Sequence, residues 1–399
     1  MCYNVKNTVV LHEMKKMIPR INYLDQIKAS FRINSVCALL GPRQCGKTTL
    51  AKQYMNQCNE VPVHFFDLED PEHINAFESP KLLLQHLDGL IVIDEIQLSP
   101  ELFPYLRVLV DEKPSLRLLI LGSASLVLIR QSSETLSGRI SYLEMKPFSL
   151  LEVTNTEQLW SRGGFPKSYL AMTEEDSFAW RREYIRTFLE KDIPSLGLHL
   201  NAQLIRRLWM MLTDYHGNLF NASELGRSLD LNHKTVKHYV DILSGTFMIR
   251  QLQPWFANIS KRQVKSPKIY FRDSGLLHTL LTIQNREQLH VSSKLGASWE
   301  GFALEQVIDH YQAEPADCFF WATHAEAELD LLIVKGNQKY AFEFKYSSRP
   351  RSTKSMQSAI ESLNLDYITI VIPGDSHYYL QDKIRVCGLN KLGAVATRG

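Results

Sequence analysis

Residues 35 to 50 read SVCALLGPRQCGKTTL: an apolar run, a loop framed by Gly41 and Gly46, then Lys47, Thr48 and Thr49 entering a helical pattern. Gly41, Pro42, Arg43, Gln44, Cys45, Gly46, Lys47 and Thr48 match G-x-x-x-x-G-K-[ST] at every fixed position. The spacing has a mechanical reason. Backbone N–H groups curled around a phosphate, at the positive end of a helix, hold a nucleoside triphosphate, and glycine lets the chain curl that way. On this reading the cofactors are ATP and Mg²⁺: the segment Gly41 to Thr49 cradles the phosphates, Lys47 reaches the β- and γ-phosphates, and the Thr48 hydroxyl sits on the ion. The plain alternative is a glycine-rich turn that happens to contain Lys-Thr.

Outward from the loop, PVHFFDL (62–68) reads as a second strand and GLIVIDEIQ (89–97) as a buried one ending in two carboxylates. Ligands sit at the carboxyl ends of such strands. Asp94 is therefore expected to hold Mg²⁺ indirectly, through the groups that ligate it, and Glu95 to polarise an attacking water, against the plain reading of a solvated carboxylate. LRLLILGSAS (116–125) is another apolar strand; Ser123 is placed to contact the γ-phosphate or the water, or to serve merely as a helix cap. In SGRISYLEMKPFSL (137–150), Arg139 could stabilise transferred-phosphate charge within the chain or across a subunit boundary, or belong to a surface ion pair.

The order GPRQCGKTTL, IDEIQ, LGSAS, SGR, EMKPFSLLE, RGGFP resembles a group of AAA-type bacterial and archaeal ATPases whose C-terminal part is a domain of unknown function. The resemblance covers nearly the whole chain. It implies ATP hydrolysis by a five-stranded P-loop core, here residues 1–160, followed by a helical lid at 161–215. It also places Gly163, Gly164, Phe165 and Pro166 near the nucleotide base, where they could equally be a turn. Motors of this kind often form rings, so a homo-oligomer is compatible with it.

Residues 216–275 read as a winged helix. Asn221 or Ser223 can cap one short helix and Asn232 a second, in which Val236, Tyr239, Val240 and Leu243 recur at helical spacing; 246–253 and KIYF (268–271) supply strands. His233, Lys234, Thr235, Lys237 and His238 would face outward. Lys261, Arg262, Lys265, Lys268 and Arg272 run without an intervening acid, a footprint for the phosphates of DNA. Protein packing and a solvated charged face are the competing readings.

The last segment, 285–399, carries Glu300 in a helical pattern, Asp330 (after Glu326 and Glu328) leading into a strand, and YAFEFK, where Glu343 and Lys345 share one face. Three carboxylates of this kind can converge on a divalent ion, with Lys345 orienting a nucleophile. The set Glu300, Asp330, Glu343, Lys345 resembles the active site of the PD-(D/E)XK nuclease superfamily, its spacing being similar to that of archaeal Holliday-junction resolvases. The family's proline before the acid is absent. Arg349, Arg351 and Lys354 add positive charge after the strand.

The fold class expected is thus α/β: a parallel P-loop core with a helical lid, a winged-helix middle and a restriction-endonuclease-like C-terminal domain. At 399 residues there is material for two or three domains, and a formal charge of +2 points to no partner by itself. Six cysteines without a C-x-x-C pair, no signal-like start and no long apolar run predict a cytoplasmic protein with no membrane partner. Two functions follow: an ATP hydrolase controlling a DNA-engaging half, with cleavage by that half left open, or a nucleotide switch for a protein partner with an inactive nuclease-like domain.

Overall fold

The computed structural model describes residues 18–123, 136–195, 200–256, 266–323 and 327–395. Lys261, Arg262, Lys265 and Glu326 lie outside them.

The apolar run before the phosphate loop is strand β1, Val36–Gly41, buried along its whole length as a strand covered on both faces must be. β2 Val63–Asp67, β3 Leu90–Asp94, β4 Arg117–Ser123 and β5 Ile140–Glu144 join it in a wholly parallel sheet of order β2-β3-β4-β1-β5. Side chains alternate between the two faces. Val36, Ala38, Leu40, Ile91 and Ile93 pack on one face with Leu102, Phe103 and Leu106, and Cys37, Leu39, Leu90 and Val92 on the other with Ile27 and Leu50. Strands β1, β3 and β4 stand side by side, so their carboxyl ends share one crevice.

Beyond the sheet the chain is helical through Thr156–Arg162, Glu174–Thr187 and Ala202–Leu212. Two short helices follow, Ala222–Leu229 capped by Asn221 and His233–Gly245 capped by Asn232, each cap accepting a backbone N–H three residues on. Their apolar faces, Leu225 and Leu229 against Val236, Val240 and Leu243, are buried together. Antiparallel strands β7 Ile249–Pro254 and β8 Lys268–Phe271 come next, with the two-residue β6 Asn218–Leu219 on the outer side of β8.

The helix Leu295–His310 leads to β9 Cys318–Ala322, β10 Glu328–Lys335, β11 Gln338–Phe344, β12 Ile368–Ile372, β13 His377–Gln381 and β14 Ile384–Gly388. All of these strands and the preceding three form one mixed sheet of nine, ordered β13-β14-β12-β11-β10-β9-β7-β8-β6. The sequence suggests a break between 275 and 285, but the sheet crosses it. β7 pairs in parallel with β9 through Gln253 with Phe319 and Pro254 with Phe320, and Trp255 N–H donates to the Phe320 carbonyl at 2.7 Å. The fold is therefore α/β, a parallel five-stranded P-loop-like sheet followed by a mixed nine-stranded one. Among the described residues no helix is long and apolar enough to cross a membrane.

Candidate active site and acidic cluster

Gln44 (φ 61°) and Gly46 (φ 103°) take left-handed backbone, which curls the loop at the start of the helix Lys47–Met55. Gly41 is required by close approach, since a Cβ there would collide with the Met145 carbonyl oxygen. Lys47 is buried, and its Nζ donates to the carbonyl oxygens of Gly41 (2.9 Å) and Pro42 (3.1 Å). Thr48 Oγ1 donates to Asp94 Oδ2 at 2.6 Å. Burial pushes the Asp94 carboxyl above its ordinary range, and that hydrogen bond partly offsets the push. The hydroxyl expected on Mg²⁺ and the carboxylate expected to hold the ion indirectly thus stand together.

Glu95 follows in left-handed backbone (φ 52°), a conformation that costs a non-glycine residue about 1–3 kcal/mol. Gln97 Nε2 donates both to the Glu95 carboxylate and to Ser123 Oγ, the latter at 2.9 Å. Thr48, Asp94, Glu95 and Ser123 therefore meet at the carboxyl ends of three adjacent strands.

Arg139 does not join them. The register pairs Val36 with Ile140, so Arg139 lies at the opposite end of β1 from Gly41, roughly 17 Å away at the rise of a parallel strand. Its guanidinium is held by Asp111 at 2.5 and 3.1 Å, which corrects the expectation that it reaches the phosphate site within the chain. The loop's own Arg43 is engaged instead: Nη1 donates to Asp192 at 2.7 Å and Nη2 pairs with Glu69. Phe188, Asp192, Thr246 and Met248 line the mouth of the loop with Pro42, Arg43 and Ser123. No motif signals this covering, because it is made by Phe188 to Met248, 145 to 205 positions after Arg43.

Cys45 lends its backbone to the loop, but its side chain is fully buried, its Sγ 3.6 Å from the Met145 carbonyl oxygen. Burial pushes its thiol pKa up. A bulky thiol reagent is therefore expected to leave Cys45 unmodified in the native protein, with nucleotide binding unchanged. Peptide mass mapping showing Cys45 labelled before unfolding would contradict this placement.

Met145 begins a strap that ties the loop to the rest of the chain. Arg20 sits beneath it, donating to the carbonyls of Cys45 (3.2 Å), Lys146 (2.9 Å) and Pro147 (3.3 Å) and pairing with Glu152. The side chains flanking Met145 reach outward, Glu144 to Arg272 and Lys146 to Asp309. Arg250 on β7 forms two buried bonds to Glu305, at 2.6 and 2.8 Å. Burial alone would raise the Glu305 carboxyl, yet Arg250, with Arg272 and Lys146, pulls it down to about 2. Breaking such a buried pair from one side typically costs about 3–5 kcal/mol. Gly163 and Gly164 press against the same junction: Gly164 N–H donates to Asp273 Oδ2 at 2.8 Å, and a Cβ on either glycine would collide with Asp273 or Phe148.

The structure also brings together Glu300, Asp330, Glu343 and Lys345. Lys345 Nζ lies 2.9 Å from Glu343 Oε2 and 3.9 Å from Asp330 Oδ2, and the Phe344 N–H donates to Asp330 Oδ2 at 3.0 Å. A register break between Leu329 and Leu332 reorients the strand at Asp330. Two residues of the basic run intrude where the sequence suggests a solvent-facing strip. Lys268, 2% exposed, points its Nζ at Glu328, Glu300 (3.9 Å) and Asp330 (3.9 Å); Tyr270 donates to Glu300 Oε1 at 2.7 Å. Arg272 is likewise turned inward, to Glu144.

Among the described residues no three His, Cys, Asp or Glu side chains are arranged to hold a metal ion. Two ammonium groups, Lys268 and Lys345, stand against the carboxylates of the expected set Glu300, Asp330 and Glu343. Burial, then the Asp330 charge, pushes the Glu300 carboxyl up to about 7 and the Glu343 carboxyl up to about 8. Burial opposes the charge on Lys268 and Lys345, but the surrounding carboxylates win and raise both. Arg349, Arg351 and Lys354 remain exposed beyond β11.

Residues 33–154 match the family described as AAA domain, and 153–287 and 295–392 match two domains of unknown function, DUF8612 and DUF4143. The chain is 45% identical over 372 residues to the uncharacterized protein Rv2008c of Mycobacterium tuberculosis, covering 92% of this chain and 83% of that protein. It is 21% identical over 329 residues to an uncharacterized protein of Haemophilus influenzae, covering 74% and 78%. Among solved structures it is similar to a Walker-type ATPase of Pyrococcus abyssi, with 14% identity and a TM-score of 0.44 over 67% of this chain and 97% of that one.

Proposed function

Because the chain belongs to the family of the mycobacterial protein Rv2008c and matches an AAA domain over residues 33–154, we propose that it is a Mg²⁺-dependent ATPase whose nucleotide state is passed to a DNA-engaging winged helix. The observation that carries this reading is the contact path from the phosphate loop to Met145, from its neighbour Glu144 to Arg272, and from Arg272 through Glu305 to Arg250. In this reading Thr48 would hold the ion, with Asp94 behind it, and the ion would supply charge neutralisation to the bound phosphates. Lys47 exchanges its two carbonyl partners for phosphate oxygens. Glu95, aimed by its strained backbone and by Gln97, takes the proton of the attacking water, and Ser123 orients that water. Residues 1–160 form the motor core, 161–215 the helical lid, 216–275 the winged helix and 285–399 the nuclease-like region.

DNA engagement rests on the helix His233–Gly245, whose His233, Lys234, Lys237 and His238 are exposed while Val236 and Val240 face the core. Double substitution of Lys234 and Lys237 by alanine is expected to weaken duplex binding uniformly across sequences and to lower the slope of log affinity against log salt by about 2. The same samples, assayed for ATP turnover with linear and branched DNA, test the coupling.

A second reading is a nucleotide switch for a protein partner with a catalytically inactive nuclease-like region. The inward turn of Lys268 and Arg272, which removes two cations from the expected phosphate-binding strip, favours it. Turnover indifferent to DNA, together with affinity that does not fall with salt, would establish that reading over the first.

A further inference from the structure

Lys268 and Tyr270 lie two residues apart on β8, so their side chains leave the same face of the strand. That face lies against the acidic cluster. Lys268 Nζ is surrounded by carboxylates from the helix Leu295–His310 (Glu300) and from β10 (Glu328, Asp330), while the Tyr270 hydroxyl occupies a lone pair of Glu300. The turn at Gly217 completes the cover, since a Cβ there would stand 3.2 Å from Glu300 Oε1. The hairpin that supplies these groups is continuous with the C-terminal strands through the β7–β9 pairing. Any divalent ion entering the cluster would meet a buried ammonium already held by three carboxylates, with Lys345 on the other side.

We infer that Lys268 is the resident cation of this cluster, fastening the β7–β8 hairpin to the C-terminal strands and closing the carboxylates to divalent ions. The acidic set is then an ion-pair joint inside one sheet, whatever the nucleotide site does. Removing the ammonium while keeping the chain length and apolar stem converts the joint into a cation site: Glu300, Glu328 and Asp330 keep their positions on helix and strand but lose the Lys268 charge, while Lys345 stays with Glu343.

The test is a calorimetric titration of MnCl₂ into the nucleotide-free full-length chain. Wild type and Asp330→Asn are expected to give the same isotherm. Lys268→Met is expected to gain one site, at least tenfold tighter than any in wild type, that Lys268→Met/Asp330→Asn lacks. The inference is overturned if wild type shows a site that Asp330→Asn abolishes, or if Lys268→Met, folded by circular dichroism, gains none. Should Lys268→Met fail to fold, the wild-type and Asp330→Asn pair decides alone, because a lost site refutes the inference and identical isotherms sustain it.

Discussion

Lys47→Ala is expected to yield a folded protein that neither binds nor hydrolyses ATP. Without nucleotide, the Lys47 ammonium is satisfied by two carbonyls of its own loop, Gly41 and Pro42, so alanine leaves those oxygens short of a donor and costs about 1–3 kcal/mol. The parallel sheet beneath, sealed on both faces, absorbs that loss. What cannot be replaced is the only lysine side chain in the loop that could bridge the β- and γ-phosphates. Binding of a fluorescent ATP analogue and phosphate release are the measurements; unchanged turnover in a folded variant would remove the motor assignment.

Glu95→Gln is expected to separate binding from chemistry. The amide keeps the volume and the left-handed backbone but loses the basic oxygen, so ATP should bind with near wild-type affinity while hydrolysis slows by about 10²-fold or more. The Gln97 amide, which donates to Glu95 and to Ser123, would keep an acceptor at both, since the substituted amide retains one carbonyl oxygen, so its bridge across β3 and β4 should persist. Single-turnover phosphate release gives the rate directly. Equal rates in variant and parent would move the water-positioning role to another group.

The phosphate loop was legible because its chemistry is local: eight consecutive residues carry the curl, the ammonium and the hydroxyl. Asp94 and Glu95 were nearly as plain, since a continuously apolar strand ending in acids places them at its carboxyl end whichever neighbours it finds. Glu300, Asp330, Glu343 and Lys345 converge for the same reason, each sitting on a regular element whose period sets its side. Lys268 was misread because its side depends on what β8 packs against. A run without acids implies solvent only when nothing covers it, and here its counter-charges come from Glu300, Glu328 and Asp330, 32 to 62 positions downstream. Arg272 found Glu144 far upstream, and Arg43 found Asp192, by the same long-range route. For Arg139 the sequence leaves a phosphate role and a surface ion pair open, because its partner Asp111 lies 28 positions upstream and no local pattern announces it.

The pairing of β7 with β9 has a mechanical corollary. A chain divided between 275 and 285 would be left with two raw strand borders, one on each piece, of the kind that recruit foreign strands and aggregate. The helix His233–Gly245, packed beside β7, is thus tied to the C-terminal strands. Force originating beneath Gly41 would have to tip the entire nine-stranded slab, and a partner resting on that helix would feel the motion of a plank rather than the flick of a finger.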